Sequence, residues 1–161
     1  MIRVLFVCLG NICRSPMAEA VLRHLTAEAG LDGEIQVDSA GTGDWHVGKP
    51  PHEGTRQLLD GLGIRHEGMK ARQVTAGDLD TFDYVLCMDA SNERNVRALR
   101  EAAGSARLFR FMELVEGRQG EDVPDPYYTG NFQEVYDLVR TGCGALLSRI
   151  IRDHNLERKS T

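Results

Sequence analysis

The sequence places a thiol and a guanidinium six residues apart, in the segment CLGNICRS from Cys8 to Ser15. The loop between Cys8 and Arg14 contains glycine and asparagine, so it can curl until successive backbone N–H groups converge on one point. Next to the partial positive charge of a helix N-terminus, such a curl forms a cradle for an anion. Gly10 is expected to supply the backbone freedom that the curl requires. Arg14 adds a planar fork that can bind two phosphate oxygens at once.

A cysteine in such a cradle is predicted to be a nucleophile. The surrounding donors favour the thiolate of Cys8, and a thiolate beside a bound phosphoryl group can attack phosphorus. The plainer alternative is a buried core thiol and a surface cation, which would be preferred for an isolated Cys-x5-Arg because the pattern is short. Other phosphate motifs do not fit: the sequence has no Gly-x4-Gly-Lys-Ser/Thr, and GTG at 41–43 lacks the third glycine of a dinucleotide fingerprint.

The elements that position this loop follow from the hydrophobic pattern. Ile2–Cys8 is predicted to be a strand buried on both faces, because its apolar residues run without alternation. The next helix is predicted to have Ser15 as N-cap and Pro16 at its first position, and to end at Gly30. Later elements are predicted as strands over 34–38, 82–88 and 107–111, helices over 53–62, 89–103 (capped by Asp89 or Ser91) and 132–154, and a turn-rich loop over 124–131. This alternation predicts one doubly wound α/β domain over residues 1–161, with its ligand site at the C-terminal ends of the strands.

Composition narrows the classes of function. The 161 residues are 42% hydrophobic and 27% charged, with a formal net charge of -5. These values are typical of a globular domain, and the acidic balance argues against nucleic-acid or membrane-surface binding. The apolar stretch Val4–Leu9 is too short for a signal sequence or a membrane span. The four cysteines are too sparse for a disulfide scaffold, so we expect a cytoplasmic protein with reduced thiols; the five histidines show no metal-ligand spacing.

The run VCLGNICRSPMAEAV at 7–21 resembles the phosphate-binding signature of the low molecular weight protein tyrosine phosphatases. DSAGT at 38–42, ARQ at 71–73, FDYVLCMD at 82–89 and DPYY at 125–128 match the family's other motifs in order and spacing. The resemblance implies a three-layer α/β/α fold with a four-stranded parallel sheet of order 2-1-3-4 and a phosphate-binding loop after strand 1. It further implies a phosphomonoester hydrolase without metal or cofactor, acting on a phosphotyrosine-containing protein or a small aryl phosphate. We expect a monomer or weak dimer that binds phosphate- or sulfate-like anions.

The resemblance also implies roles within the site. Cys8 would attack phosphorus to give a cysteinyl-phosphate, while Arg14 and the loop amides stabilise the equatorial oxygens. Asp125, held between two prolines, would protonate the leaving phenolate and later act as base on water. Asn11 is expected to fix the curled loop and Ser15 to donate to the Cys8 sulfur, although both could simply shape the loop or cap the helix. The loop residues predicted to bind the substrate are Leu9, Gly10, Asn11, Ile12, Cys13 and Ser15.

Three aromatic residues are also predicted to bind the substrate. Tyr127 and Tyr128 follow Asp125 closely, and Trp45 lies in a glycine-rich loop. Aromatic side chains beside an anion site can hold a phenyl ring, which favours phosphotyrosine over phosphoserine. The alternative for Trp45 is that it anchors its loop against the core. The family resemblance also suggests the tyrosine pair as phosphorylation targets.

Cys13 has two interpretations. It lies five residues from Cys8 in a curled loop, so a disulfide is conceivable and would protect Cys8 from over-oxidation. It could equally be a small packing residue. Because the resemblance includes this second cysteine, the redox role is favoured, whereas Cys87 and Cys143 are predicted to be structural thiols.

One position departs from the family pattern. Many members carry a histidine two residues before the ARQ segment, and this chain has Met69 there, with His66 three residues earlier. Either His66 reaches the same place, or the hydrogen-bond network of the loop is simpler.

Two other functions fit part of the sequence. An arsenate reductase of the same fold also uses a cysteine in this loop, but it needs a pair of relay cysteines, and Cys87 has no partner a few residues on. An inactive phosphotyrosine-binding or scaffold protein would need no acid such as Asp125. The sequence therefore predicts a protein-tyrosine phosphatase.

Overall fold

Four parallel strands form one sheet in the order β2-β1-β3-β4. The computed structural model describes residues 1–99 and 104–159. Its strands are β1 Ile2–Cys8, β2 Ile35–Gly41, β3 Tyr84–Cys87 and β4 Arg107–Arg110. The register of β1 with β2 puts Cys8 opposite Gly41, so the two strands end together at the edge where the anion loop, residues 9–13 between β1 and α1, begins. The predicted parallel sheet and its order are confirmed.

Helices cover both faces of this sheet. They are α1 Arg14–Glu28, α2 Glu53–Gly61, α3 Asp78–Thr81, α4 Ala90–Arg97, α5 Pro126–Thr129 and α6 Phe132–Asp153, with a 3-10 turn at Phe111–Leu114. Val4 and Phe6 pack into a core with α1 and α6. Leu5 and Val7 pack into a second core on the other face. β1 is therefore buried on both sides, which explains its continuous apolar sequence.

The start of α1 differs from its prediction. The helix begins at Arg14, its N-cap is Cys13, and no side chain caps it. Ser15 is the second helical residue and Pro16 the third, a position where the missing N–H costs little because the first turn lacks intrahelical acceptors. The Ser15 hydroxyl does not cap the helix because it bonds to the anion loop instead.

Other boundaries also move. α4 is capped by Asp89, so Ser91 is not the cap, and residues 100–103 of the predicted helix lie outside the described residues. β2 extends to Gly41 rather than 38, and β4 ends at Arg110 because Phe111 begins the 3-10 turn. The turn-rich loop contains the single-turn helix α5. Among the residues described, no helix is long and apolar enough to cross a membrane.

Candidate active site

A cavity of about 220 Å³ lies at the edge of the sheet where β1 ends. Three segments line it: the loop after β1, the loop after β2, and the start of α5. The lining residues are Cys8, Leu9, Gly10, Ile12, Cys13, Arg14, Trp45, His46, Asp125, Tyr127 and Tyr128. The structure thus brings together the predicted thiol, guanidinium, carboxyl and aromatic residues. Two predicted substrate contacts, Asn11 and Ser15, do not line the cavity.

Cys8 is nearly enclosed, with 3% of its surface exposed. Its Sγ lies 2.9 Å from the Ser15 hydroxyl oxygen, and the Asn11 backbone N–H donates to it at 3.3 Å. Two polar groups therefore converge on the sulfur, an arrangement that stabilises negative charge there.

The curl of the loop depends on Asn11. Its φ of 57° is left-handed, while Gly10 lies outside that region, so the expectation that Gly10 supplies the turn is wrong. The Asn11 side chain is buried behind the cavity, where its amide Nδ2 donates to Ser15 and Ser39 at 2.8 and 2.9 Å. Its Oδ1 accepts from the Arg72 backbone N–H at 2.9 Å. The loop uses this side chain internally, which is why it does not line the cavity.

Gly10 has a different reason to be glycine. A Cβ at this position would lie 3.0 Å from Cδ2 of His46. Because glycine has no side chain, the His46 imidazole can pack against the loop at this position. No motif indicates His46, and its position directly after Trp45 does not by itself predict a contact with the loop. Its ring centroid is 6.3 Å from that of Tyr127.

Arg14 is buried and tethered, with 2% of its surface exposed. Nη1 donates to Asp89 at 2.8 Å and to the Val123 carbonyl at 3.0 Å, and Nη2 lies 3.5 Å from Asp125 Oδ2. Burial disfavours the charged guanidinium, but Cys8, Asp89 and Asp125 outweigh it and raise the pKa of Arg14. The site therefore holds a permanent, oriented positive charge.

Asp125 is positioned by the helix that it begins. It is the N-cap of α5, and its Oδ1 accepts from the Tyr127 backbone N–H at 3.1 Å. Val123 ties this segment to the end of β3, since its backbone N–H donates to the carbonyl of Met88, the residue after that strand, at 2.9 Å. Oδ2 is left facing Arg14 across the cavity.

The aromatic residues form an exposed rim. Tyr127 and Tyr128 meet edge to face, with ring centroids 5.3 Å apart. Trp45 covers Gly43, where a side chain would overlap the indole. Because Trp45 is 65% exposed, the alternative in which it anchors its loop in the core is wrong.

All four thiols are free and buried. Burial raises the pKa of Cys13 to about 12, and the charges of Cys8 and Asp125 add to the rise while Arg14 opposes it. Cys87 lies inside β3, and Cys143 in α6 donates to the Ala18 carbonyl at 3.7 Å. Cys13 alone of the other three lines the cavity with Cys8.

The departure at position 69 has a simple outcome. Met69 packs into the core beside α1. His66 binds Asp60 of α2 at 2.6 Å, so it does not reach the loop. The described residues also contain no group of three or more His, Cys, Asp or Glu that could hold a metal ion.

Residues 3–158 match the family described as low molecular weight phosphotyrosine protein phosphatase. The low molecular weight protein-tyrosine-phosphatase YfkJ of Bacillus subtilis is 54% identical over 156 residues, 97% of this chain and 100% of that protein. The chain belongs to this family. It is therefore a phosphatase, and the predicted family, fold and activity are confirmed; nothing in the matches points to an arsenate reductase.

One further relative and two crystal structures support the assignment. The phosphatase PtpA of Staphylococcus aureus is 44% identical over 157 residues, 98% of this chain and 99% of that protein. The crystal structure of YfkJ has a TM-score of 0.91 and covers 95% of this chain and 96% of its own. That of an Entamoeba histolytica protein tyrosine phosphatase with Hepes in the active site has a TM-score of 0.88 at 30% identity, covering 96% of this chain and 99% of its own.

Proposed function

We propose that the site hydrolyses phosphotyrosine and other aryl phosphate monoesters through a cysteinyl-phosphate on Cys8. The observation that carries the proposal is the meeting of three groups in one cavity: the Cys8 sulfur, the Arg14 guanidinium, and the Asp125 carboxyl 3.5 Å from that guanidinium. A nucleophile, an electrostatic clamp and a proton donor are the parts that this reaction requires.

In the first step the Cys8 thiolate attacks phosphorus. The S–P bond forms while the P–O bond to the aryl group breaks, and its electron pair leaves with the aryl oxygen. Asp125 gives its proton to that oxygen, so a neutral phenol departs. Arg14 and the backbone N–H groups of residues 9–15 hold the equatorial oxygens, where charge develops in the transition state.

In the second step water attacks the phosphoryl group. Asp125, now a carboxylate, takes a proton from the water, the P–S bond breaks, and inorganic phosphate is released. The hydrogen bond between Ser15 and the Cys8 sulfur, 2.9 Å long, stabilises the departing thiolate. The cycle therefore returns every group to its starting form without a metal or a cofactor.

The rim supports an aryl substrate. Trp45, Tyr127 and Tyr128 line the same cavity as Cys8, so a ring attached to a bound phosphate has aromatic side chains to pack against. Leu9 and Ile12 add apolar lining from the loop. The proposed partners are a phosphotyrosine-containing protein or a small aryl phosphate. The Entamoeba relative has Hepes in its active site, and because Hepes ends in a sulfonate, it fits the same kind of anion site.

We also propose Cys13 as the redox partner of Cys8. Peroxide would oxidise the Cys8 thiolate to a sulfenic acid, and the Cys13 thiol would condense with it, forming a disulfide and releasing water. Support comes from the shared loop and from the cavity that both residues line.

Leaving groups of different basicity test the mechanism. We expect wild type to hydrolyse p-nitrophenyl phosphate and phenyl phosphate without added metal or reductant. The activity of Cys8→Ser should fall to background, because a serine hydroxyl is not ionised near neutral pH. Asp125→Ala should lose activity roughly a hundredfold or more on phenyl phosphate. It should lose much less activity on p-nitrophenyl phosphate, whose leaving group needs no proton.

Asp44→Ala is the matched control, since this exposed carboxylate precedes Trp45 but does not line the cavity. Equal losses on both substrates would remove Asp125 as the acid. Turnover only with arsenate and a thiol reductant, activity in Cys8→Ser, or ligand binding without turnover would each contradict the proposed function.

A further inference from the structure

A chain of hydrogen bonds leads from Cys8 to a buried carboxylate on α1. Ser15 Oγ lies 2.9 Å from the Cys8 sulfur and accepts from Asn11 Nδ2 at 2.8 Å. The same Nδ2 donates to Ser39 Oγ at 2.9 Å, and Ser39 Oγ donates to Glu19 Oε1 at 2.6 Å. Glu19 is 4% exposed and lies outside the cavity that holds Cys8.

The direction of every hydrogen bond in this chain can be assigned. A backbone N–H can only donate, so the Arg72 N–H fixes Oδ1 of Asn11 as its acceptor and leaves both Nδ2 hydrogens for the two serines. Ser39 receives one of them and must give its own hydrogen to Glu19. Ser15 receives the other, and because a thiolate can only accept, the Ser15 hydroxyl donates to the sulfur when Cys8 is ionised.

We propose that Glu19 is a positioning residue, whose carboxylate holds the Ser39 hydroxyl as a donor toward α1. Ser39 then keeps a lone pair for Asn11 Nδ2 and, together with the Arg72 N–H, fixes the amide that bonds to Ser15 beside the Cys8 sulfur. A carboxylate only accepts hydrogen bonds, so Ser39 is held as a donor toward α1. In this chain Met69 stands where many family members have a histidine, and it packs in the core. Glu19 is therefore the charged end of the network.

Two contacts of Glu19 favour its carboxylate form, which only accepts hydrogen bonds. Its other oxygen forms an ion pair with Arg23, one turn along α1. Burial raises the pKa of Glu19, and the Ser39 hydrogen bond and Arg23 oppose that rise. The other charged groups that face it or share its outer cavity are Asp38, Arg72, Glu67 and Lys70.

Glu19→Gln is the informative substitution. If the new amide turns its oxygen to Ser39, its NH2 meets the Arg23 guanidinium, donor against donor. If it turns its oxygen to Arg23, its NH2 donates to Ser39, which then receives two hydrogens and loses its acceptor. The first orientation disturbs the contact with Arg23 and the second removes the acceptor of Ser39, so neither holds Ser39 as the carboxylate does, although volume is preserved.

The readout is alkylation of Cys8 by iodoacetamide against pH, assigned by peptide mass spectrometry. A lost hydrogen bond to the sulfur should move the midpoint upward by about one pH unit and lower kcat about tenfold, with KM little changed. Ser39→Ala should produce the same shift, because it breaks the same chain. The double variant should equal Ser39→Ala, because Glu19 acts through Ser39.

Glu28→Gln is the control, since this exposed carboxylate of α1 faces His24 instead. A Glu19→Gln profile that matches wild type, losses that add in the double variant, or a shift with Glu28→Gln would each overturn the inference. Should Glu19→Gln fold poorly, an unmoved profile in Ser39→Ala would overturn it equally. The inference rests on Cys8 as nucleophile, but alkylation needs no substrate, so failure of wild type to hydrolyse aryl phosphates is a separate result.

Discussion

Position 11 needs both a left-handed backbone and a side chain that donates and accepts hydrogen bonds, and asparagine meets both needs. Its backbone is left-handed at φ 57°, a conformation that asparagine tolerates better than most residues with a side chain. Its amide accepts from Arg72 and donates to two serines. The residue therefore bends the loop and fixes it to β2 at once, which leaves the neighbouring backbone N–H groups free to face an anion.

Cys13 is predicted to make oxidation of the site reversible. We expect peroxide-treated wild type to contain a Cys8–Cys13 disulfide and to regain activity with dithiothreitol. Cys13→Ser should regain much less, because its Cys8 sulfenic acid has no thiol beside it and oxidises further. Peptide mass spectrometry and recovered activity give the two readouts.

Cys87→Ala is the control for this prediction, since it removes a buried thiol from β3 that does not line the cavity. It should recover like wild type. Full recovery of Cys13→Ser, or a disulfide that joins Cys8 to a cysteine other than Cys13, would contradict the redox role.

At the scale of elements, α4 and the start of α1 share one carboxylate. Asp89 Oδ1 caps α4 by accepting from the Asn92 N–H at 2.7 Å. Its Oδ2 binds Arg14 at 2.8 Å. The end of β3, the start of α4 and the Arg14 guanidinium are thereby fixed relative to each other, which supports a preorganised site.

The end of β2 packs directly on the anion loop, and Gly41 is the contact point. A Cβ at Gly41 would lie 2.8 Å from the Leu9 carbonyl oxygen and 3.2 Å from the Asn11 nitrogen. Both are backbone atoms and cannot rotate away. We expect Gly41→Ala to destabilise the protein by about 1–3 kcal/mol and to lower kcat at least tenfold, because the atoms that must move belong to the loop.

Urea unfolding and aryl phosphate kinetics measure the two effects. Gly33→Ala is the matched control, because a Cβ there meets nothing within 4 Å. A Gly41→Ala enzyme with the activity of wild type would show that β2 does not determine the shape of the loop.

At the scale of the whole molecule, the regular part of the fold could be predicted from sequence. The apolar run of β1 and the alternation of strands and helices indicated a parallel sheet, since strands buried on both faces leave that pattern. Matched motifs gave the sheet order. Ser15 and Gly10 differ from their predictions because the Ser15 hydroxyl bonds to Cys8 and Asn11 and Gly10 makes room for His46, contacts that form only in the folded loop.

In the candidate site, too, some residues could be predicted from sequence and others could not. The thiol, the guanidinium and the acid lie in recognisable motifs, and the fold brings them to one cavity. His46 and Glu19 could not be predicted as neighbours of the loop, because one contacts it through space and the other through Ser39. Local sequence carries no signal for contacts that form only after the sheet assembles.

Three buried thiols make the stability of the whole molecule sensitive to alkaline pH. Burial raises the pKa of Cys13 and of Cys87 to about 12, and that of Cys143 as well. In the unfolded chain a thiol has a pKa of about 8.5. Because the folded pKa is the higher one, each thiol stabilises the fold fully below the unfolded pKa, and this contribution is lost as pH rises toward the folded pKa.

We expect the free energy of unfolding to fall from about pH 9 to about pH 11, by about 1.4 kcal/mol per pH unit for each such thiol. Cys143→Ala removes one of them, so its slope against pH should be shallower by that amount. Urea unfolding under reducing conditions at a series of pH values measures the slope. Val139→Ala, which trims another buried side chain of α6, should lower the free energy at every pH and leave the slope unchanged. An unchanged slope in Cys143→Ala would mean that this thiol ionises as readily in the folded protein as in the unfolded chain.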